Sequence, residues 1–282
     1  MGTESHSGEF AAVNGQAAVR KWNIARVLPL NEAKHSGTRG GTQRKKGVGS
    51  WTGGWTAEGG QPGVKPGEKF TFLGYSAPDN DTEGGTGTTY TGVAVVSSVT
   101  LTLDQTTNNI ISHEVTFDGH LILTETAGGA AIIDAVASIA ECAVDTKIEY
   151  GATPDEIEDW TTATLTFTAN VPSFVNSSTA GETGRRETSD IDWTLSIGVE
   201  VTDSPLAEGL QLEDLKVYIN SIEFWHLNYA RVGTYSGFVA DRETKAIIAQ
   251  TLNIAMDSHK ESDGSLGSII MPDTTQLWPP TP

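Results

Sequence analysis

The sequence predicts an all-β protein with a minor helix, and three observations lead to that prediction. Apolar residues alternate with polar or small ones along the chain, most clearly at Val93, Val95, Val99, Leu101 and Leu103. A period of two is typical of strands. The chain has 31 glycines in 282 residues, which suits short strands joined by many turns. Its hydrophobic fraction of 37% fits sheets that keep one face in water.

Other segments extend this pattern. Residues 195–201 alternate in the same way, which predicts another strand. Between residues 215 and 229 the alternation changes phase near Asn220, which indicates a hairpin or a bulge. The best helix candidate is the short, Ala-rich segment 130–141, whose apolar residues share one face.

One order of landmarks occurs twice, which predicts an internal duplication. The paired landmarks are Trp22 with Leu165, Trp51 with Trp193, Tyr90 with Tyr235, and the segment 104–117 with the segment 241–254. The separation along the chain is nearly the same for all four pairs. We therefore expect two tandem β domains, at residues 17–141 and 161–271. An N-terminal arm (1–16), a linker (142–160) and a Pro-rich C-terminal tail (272–282) complete the predicted organisation.

Charge and cysteine content exclude several classes of protein. Lys plus Arg number 18 against 36 Asp plus Glu, so the formal charge is −18. Cations supply most of the affinity for nucleic acid, so we expect little binding to duplex DNA at physiological salt. The single cysteine, Cys142, excludes an internal disulfide and a cysteine zinc cluster. We see neither a secretion signal nor a membrane-spanning segment, and expect a soluble protein made in the cytoplasm.

No catalytic constellation is recognisable, and we expect no enzyme activity, cofactor or metal. The six histidines are scattered, and we expect His113 and His120 on a surface strand rather than as ligands. Nucleophile-elbow, P-loop and dinucleotide motifs are missing from the sequence. Asp79, Asp81 and Glu83 alternate as calcium ligands do, but Tyr90 stands where the bidentate glutamate is needed, which favours a solvated acidic loop.

Two polar, Gly-containing loops carry cations at the same place in each half. They can be solvated loops, contacts with acidic surfaces of neighbouring subunits, or nucleic-acid contacts. Recurrence on an acidic protein favours the subunit contact, and no interleaved aromatics support nucleic acid. The first loop, residues 31–49, is long and without apolar anchors, so we expect a neighbour to order it. The candidate contact residues are Arg39, Arg44, Lys45, Lys46, Arg185 and Arg186.

The order of these features resembles the tail tube (major tail) proteins of long-tailed bacteriophages, once per half. An early strand with an aromatic residue (19–24) precedes the Gly/Thr/basic loop and a Trp-led strand (50–57). The turn Pro66-Gly67 then precedes Phe70-Thr71-Phe72, and the segment 90–95 precedes the 104–117 hairpin.

The resemblance implies domains of packed antiparallel sheets with a flanking helix. In that family six domains continue their sheets into one barrel, and the rings stack into a hollow tube that conducts DNA. A loop such as 31–49 reaches the adjacent ring. Two fused domains then imply rings of three chains, with rings of six as the alternative. The expected location is a virion tail assembled in the host cytoplasm with other tail proteins, where DNA passes an acidic lumen without specific binding.

Two alternatives stay open. One is another tail ring component, a distal tail or baseplate protein built on the same domain. The other is a glycan-binding β-sandwich module, which would expose a cluster of tryptophans in a groove. Trp51 and Trp55 share one face of their strand, but a role in sheet packing is favoured.

Overall fold

The computed structural model describes residues 12–13, 19–28, 30–33, 43–46, 49–60, 62–76, 87–106, 110–129, 146–175, 184–200, 206–219, 224–227, 230–239 and 249–257. These residues form strands, turns and irregular backbone with no helix among them, so the all-β class is confirmed for this part of the chain. No helix able to cross a membrane occurs in these ranges. The helix predicted over 130–141, Cys142, residues 79–83 and the C-terminal tail lie outside them.

Twenty strands make up the described structure. They are β1 (Ala12–Val13), β2 (Val19–Val27), β3 (Leu30–Ala33), β4 (Gln43–Lys46), β5 (Ser50–Glu58), β6 (Lys69–Ser76), β7 (Gly87–Asp104), β8 (Ser112–Gly129), β9 (Ile148–Tyr150), β10 (Asp155–Glu156), β11 (Trp160–Asn170), β12 (Ser173–Phe174), β13 (Arg185–Arg186), β14 (Asp190–Glu200), β15 (Gln211–Leu212), β16 (Leu215–Tyr218), β17 (Phe224–Leu227), β18 (Ala230–Val232), β19 (Ser236–Val239) and β20 (Ala249–Met256).

A sheet of 12 strands runs through both halves of the chain. Its main order is β15-β18-β20-β14-β11-β7-β8-β5-β2, with β19 also on β20, and β6 and β1 attached through β7. All of its pairings are antiparallel, and the two halves meet where β7 pairs with β11. In the described strands its two ends do not pair with each other, so the sheet of one chain is open.

Three smaller sheets complete the fold: β10-β9-β16-β17, β12-β13 and β3-β4. The pairing of β16 with β17 confirms the hairpin predicted near Asn220. The second part of the predicted linker, 142–160, holds β9 and β10. Its Ile148 and Trp160 are buried in the apolar core. Similarly, β1 lies within the predicted arm 1–16 and pairs with β6.

Aromatic rings fill the core of the first half. Trp51, Trp55 and Phe72 surround Phe117 with ring centroids 5.0 to 5.9 Å apart. The indole Nε1 of Trp51 donates a hydrogen bond to the carbonyl oxygen of Leu121 at 2.9 Å. Gly119 makes room for this indole, because a Cβ there would lie 2.2 Å from the ring. Trp51 and Trp55 therefore pack the sheet, as the sequence predicts.

The strand register of the first half recurs in the second. Thr52 lies opposite Asp118 in the β5–β8 ladder, and Thr194 lies opposite Ala255 in the β14–β20 ladder. One shift in numbering takes Thr52 to Thr194, and a slightly smaller shift takes Asp118 to Ala255. These two shifts convert every pair of the first ladder into a pair of the second. They equal the separations of two predicted landmark pairs, Trp51 with Trp193 and the segment 104–117 with the segment 241–254.

The other ladders follow the same rule, with one shift for each strand except β19, which has a register shift between Ser236 and Val239. The pairs of β2–β5 match pairs of β11–β14, and a bulge after Val19 recurs after Trp160. The β6–β7 ladder matches β16–β17 and β15–β18. The β7–β8 ladder matches the pairing of β18 and β19 with β20. The β3–β4 ladder matches β12–β13, and β1–β6 matches β9–β16.

Two of the landmark pairs are not equivalent by register. The pair Tyr90–Gly74 in the first half is equivalent to the pair His226–Lys216 in the second half. Tyr90 therefore corresponds to His226 and not to the predicted Tyr235. Trp22 corresponds to Ala163, on the N-terminal side of the predicted Leu165. The Tyr90 landmark was matched on a short Tyr-x-Gly pattern, and the Trp22 landmark on a period-two pattern. Both patterns can be aligned at the wrong residue, because neither contains information on the partner strand.

Candidate assembly interface

The boundary between the halves is a seam of two antiparallel strands. β7 and β11 pair from Asp104 opposite Thr162 to Ser98 opposite Thr168. At the middle of the seam the hydroxyl oxygens of Thr100 and Thr166 lie 3.4 Å apart. The backbone N–H of Gln105 extends the seam by donating to the Thr161 carbonyl oxygen at 2.8 Å. The halves therefore join by continuing one sheet.

Each half has one strand edge that lacks the partner its counterpart has. β2 is the counterpart of β11, yet among the described strands it pairs with β5 alone. β19 is the counterpart of the last part of β7, and in the same set of strands it pairs with β20 alone. Since β7 and β11 pair with each other, the two open edges are complementary in type. They lie in opposite halves of the chain.

One face of the main sheet is polar across both halves. Directly opposite residues share a face, and the seam threonines continue on one side into Glu114 and Thr56 and on the other into Thr194. Carboxylates outnumber cations among the described side chains of this face, with Glu58, Asp104, Glu114, Asp118, Asp190 and Asp192 against Lys21, Lys69 and Arg231, and Glu58 is paired with Arg20. The opposite face carries the apolar core.

The predicted basic loops are hairpins at their bases. Arg44, Lys45 and Lys46 lie in β4, and Arg185 and Arg186 form β13. Arg39 lies outside the described residues. The expectation that the first loop has no order of its own is wrong for its base. There, β3 and β4 pair through their backbones from Leu30 to Ala33, a source of order that needs no apolar anchor.

Arg186, predicted as an inter-subunit contact, also contacts the first half of its own chain. Its guanidinium donates to the Val171 carbonyl oxygen at 3.1 Å and lies 3.9 Å from the carboxylate of Asp118. The imidazole Nδ1 of His120 lies 2.9 Å from the backbone nitrogen of Arg186. These contacts hold the β12–β13 hairpin against β8. The side chain of Arg185 is exposed.

Sequence reasoning missed further contacts of this docked segment. The Lys69 ammonium lies 2.9 Å from the Glu187 carboxylate, and the Thr188 hydroxyl donates to the Gly67 carbonyl oxygen at 2.6 Å. Gly67 has φ 75°, and its counterpart in the second half, Gly209, has φ 79°. Both N–H groups donate at 2.8 Å to the counterpart residues Val96 and Val232. The glycine that recurs at this turn in both halves is a sequence feature that could have indicated the equivalent turns.

His113 and His120 are buried rather than on a surface strand. His113 places Nδ1 2.7 Å from the Gly59 carbonyl oxygen, and its Nε2 has no hydrogen-bond partner. Burial lowers the pKa of His113, with the bond to Gly59 opposing that shift. No group of three or more metal-binding side chains occurs within the part of the chain that the structure describes.

Comparisons with known proteins give no family for this chain. No protein-family model matches it, and no curated protein matches its sequence. The functional inference therefore depends on the seam, the two open edges, the polar sheet face and the basic hairpins.

Proposed function

We propose that the chain is a structural virion protein, a tail tube subunit with two fused tube-like domains. It polymerises into a hollow tube through which the phage genome passes. The observation that supports this most is the seam between β7 and β11. Two halves of equal register already continue one sheet, and each leaves open the edge that the other half uses at the seam.

Repeating the seam between chains adds copies in one direction. Such a head-to-tail contact gives a closed ring when the rotation per step allows closure. Closure removes the open edges, which otherwise favour uncontrolled pairing. With two domains in each chain, three chains supply the six positions of a ring, and stacked rings give the tube.

The polar face of the main sheet lines the lumen in this proposal. Its excess of carboxylates repels phosphate, so DNA passes without being retained. The opposite face packs in the apolar core and cannot line an aqueous channel.

A distal tail or baseplate ring protein would use the same edges, and remains the alternative assignment. The glycan-binding module has less support, because its tryptophan groove is not found in the described residues. There, the tryptophans are all at most 5% exposed, namely Trp22, Trp51, Trp55, Trp160, Trp193 and Trp225.

The first prediction is a three-chain species. Mass photometry of the purified protein should show trimers, and electron microscopy at higher concentration should show rings and hollow rods. Trimers that stack into rods favour the tube over a single-ring baseplate role. Monomers at every concentration would contradict assembly, and rings of six chains would contradict the fused-domain arrangement.

A further inference from the structure

We infer that a second copy of this chain binds at the β2 edge in one register, with its Ser236 opposite Ala25. The base of the β3–β4 hairpin then contacts the end of β20 of that copy, near Asp257. This inference depends on the proposed function, to which it adds the contacting residues.

The register follows from the seam inside the chain. Thr100 lies opposite Thr166 there, with their hydroxyl oxygens 3.4 Å apart. The ladders match Thr100 to Ser236, because each pairs with an equivalent residue, Glu114 or Thr251. The ladders also match Thr166 to Ala25, because Thr166 pairs with Thr194, Ala25 pairs with Thr52, and Thr194 is the counterpart of Thr52. Repetition of the seam between chains therefore sets Ser236 opposite Ala25.

The two edges suit this contact. Neither β2 nor β19 contains a proline, so each can donate along its open edge. Val27 and Leu28, at the end of β2, are 50% and 44% exposed in the single chain. An added strand covers such apolar side chains and removes the cost of their hydration.

The hairpin contact also has an internal template. Arg186 lies against Asp118 and His120, and the register matches these three residues to Arg44, Ala255 and Asp257. Asp257 accepts hydrogen bonds from Arg231 at 2.6 and 2.9 Å, which fixes its carboxylate at the end of β20.

Charge complements this placement. The β3–β4 hairpin that contacts β20 of the second copy carries Arg44, Lys45 and Lys46. The receiving surface holds Asp257, which is also paired with Arg231, and the exposed Glu208, whose carboxylate accepts the Tyr235 N–H at 3.2 Å. The base of the hairpin therefore joins neighbours within a ring, a role distinct from stacking between rings.

Cysteine cross-linking tests the register in a C142S background. The pair A25C/S236C should form disulfides between chains under mild oxidation, up to closed covalent trimers on a non-reducing gel. The variant T100C/T166C is the matched positive control, because it should form the same disulfide within one chain. The pair N23C/S236C keeps the sheet face but moves to the next register on that face, and should cross-link far less.

A charge exchange tests the hairpin contact. R44E should raise the dissociation constant of the trimer several-fold in mass photometry, and D257K in the same chain should restore part of the loss. An unchanged trimer in R44E would overturn the hairpin contact.

The outcomes separate this inference from the proposed function. Wild-type trimers in which N23C/S236C cross-links better than A25C/S236C would overturn the register and leave the tube proposal standing. A wild-type protein that stays monomeric, with no disulfide between chains in either variant, would overturn both.

Discussion

In the first half of the chain the main sheet packs on aromatic rings, whereas the second half packs mainly on aliphatic side chains in the same register. Trp55 and Phe117 become Ile197 and Ile254. The second half has its own aromatic contact, in which the rings of Phe167 and Trp225 lie 5.0 Å apart. The ladders match although the cores differ, so backbone pairing and apolar alternation, rather than particular core residues, specify this register.

Volume is exchanged locally between facing positions. Gly53 lies opposite Phe117 in the first half, and Leu195 lies opposite Ile254 in the second. One large ring over a glycine is thus replaced by two branched aliphatic side chains. Such an exchange preserves packing density, which interiors require.

The largest expected effect tests whether the halves are energetically separate. Trp225 is fully buried, and its indole Nε1 donates to the carbonyl oxygen of Gly60 in the first half at 3.3 Å. Trp225→Ala should lower the free energy of unfolding by about 3–5 kcal/mol, because it leaves a cavity between the halves. Urea unfolding followed by fluorescence and circular dichroism measures the change.

The exposed Phe174 serves as control, and Phe174→Ala should change the free energy of unfolding by less than about 0.5 kcal/mol. Because the seam and Trp225 join the halves, we expect one unfolding transition in both variants. Two transitions, of which Trp225→Ala shifts only one, would show that the halves unfold independently.

A double-mutant cycle tests the exchange of volume. Gly53→Leu should destabilise the protein by about 1–3 kcal/mol, because a Cβ there would lie 2.5 Å from the Phe117 ring and 2.6 Å from the Asn23 carbonyl oxygen. Phe117→Ile should be destabilising through the cavity it leaves. The double variant reproduces the pair found in the second half, so it should lose less stability than the sum. Additive losses in denaturant unfolding would refute compensation.

The smallest effect concerns pH and a position where the halves differ. His113 is buried, and the register places Gln250 at its counterpart. Its pKa is lower in the folded chain than the ordinary 6.5. As pH falls through 6.5 the unfolded chain binds this proton first, so the free energy of unfolding should decrease below that pH.

His113→Gln should flatten this decrease across the weakly acidic range below neutral pH, as measured by urea unfolding at each pH. The slope is the informative quantity, because the substitution can also change stability at neutral pH. An unchanged slope would mean that other groups account for the acid sensitivity.

Local features were predictable from the sequence, and long-range ones were not. Apolar alternation predicted the strand around Leu101. The separation between Trp51 and Trp193 equals the shift that takes β5 to β14 in the β5–β8 and β14–β20 ladders. Each of these predictions used only the residue pattern inside a single strand. The pairing of β7 with β11 joins segments that are distant in the sequence and has no local signal. The β3–β4 hairpin was missed because its ladder is mostly polar and lacks apolar alternation.

The candidate interface has fewer local sequence signals than the fold. The recurrence of cations correctly marked two equivalent hairpins, but it could not show that Arg186 faces its own chain. That distinction depends on which strand edge is already occupied, and this is a property of the whole sheet.

The seam also has a kinetic consequence. Because β7 and β11 belong to one polypeptide, their mutual effective concentration is set by the connection between them rather than by the amount of protein in the cell. In the proposed ring of three chains, half of the junctions between halves would form during folding, and only the other half would require an encounter between molecules. Ring nucleation then depends on a lower power of protein concentration than it would for separate domains.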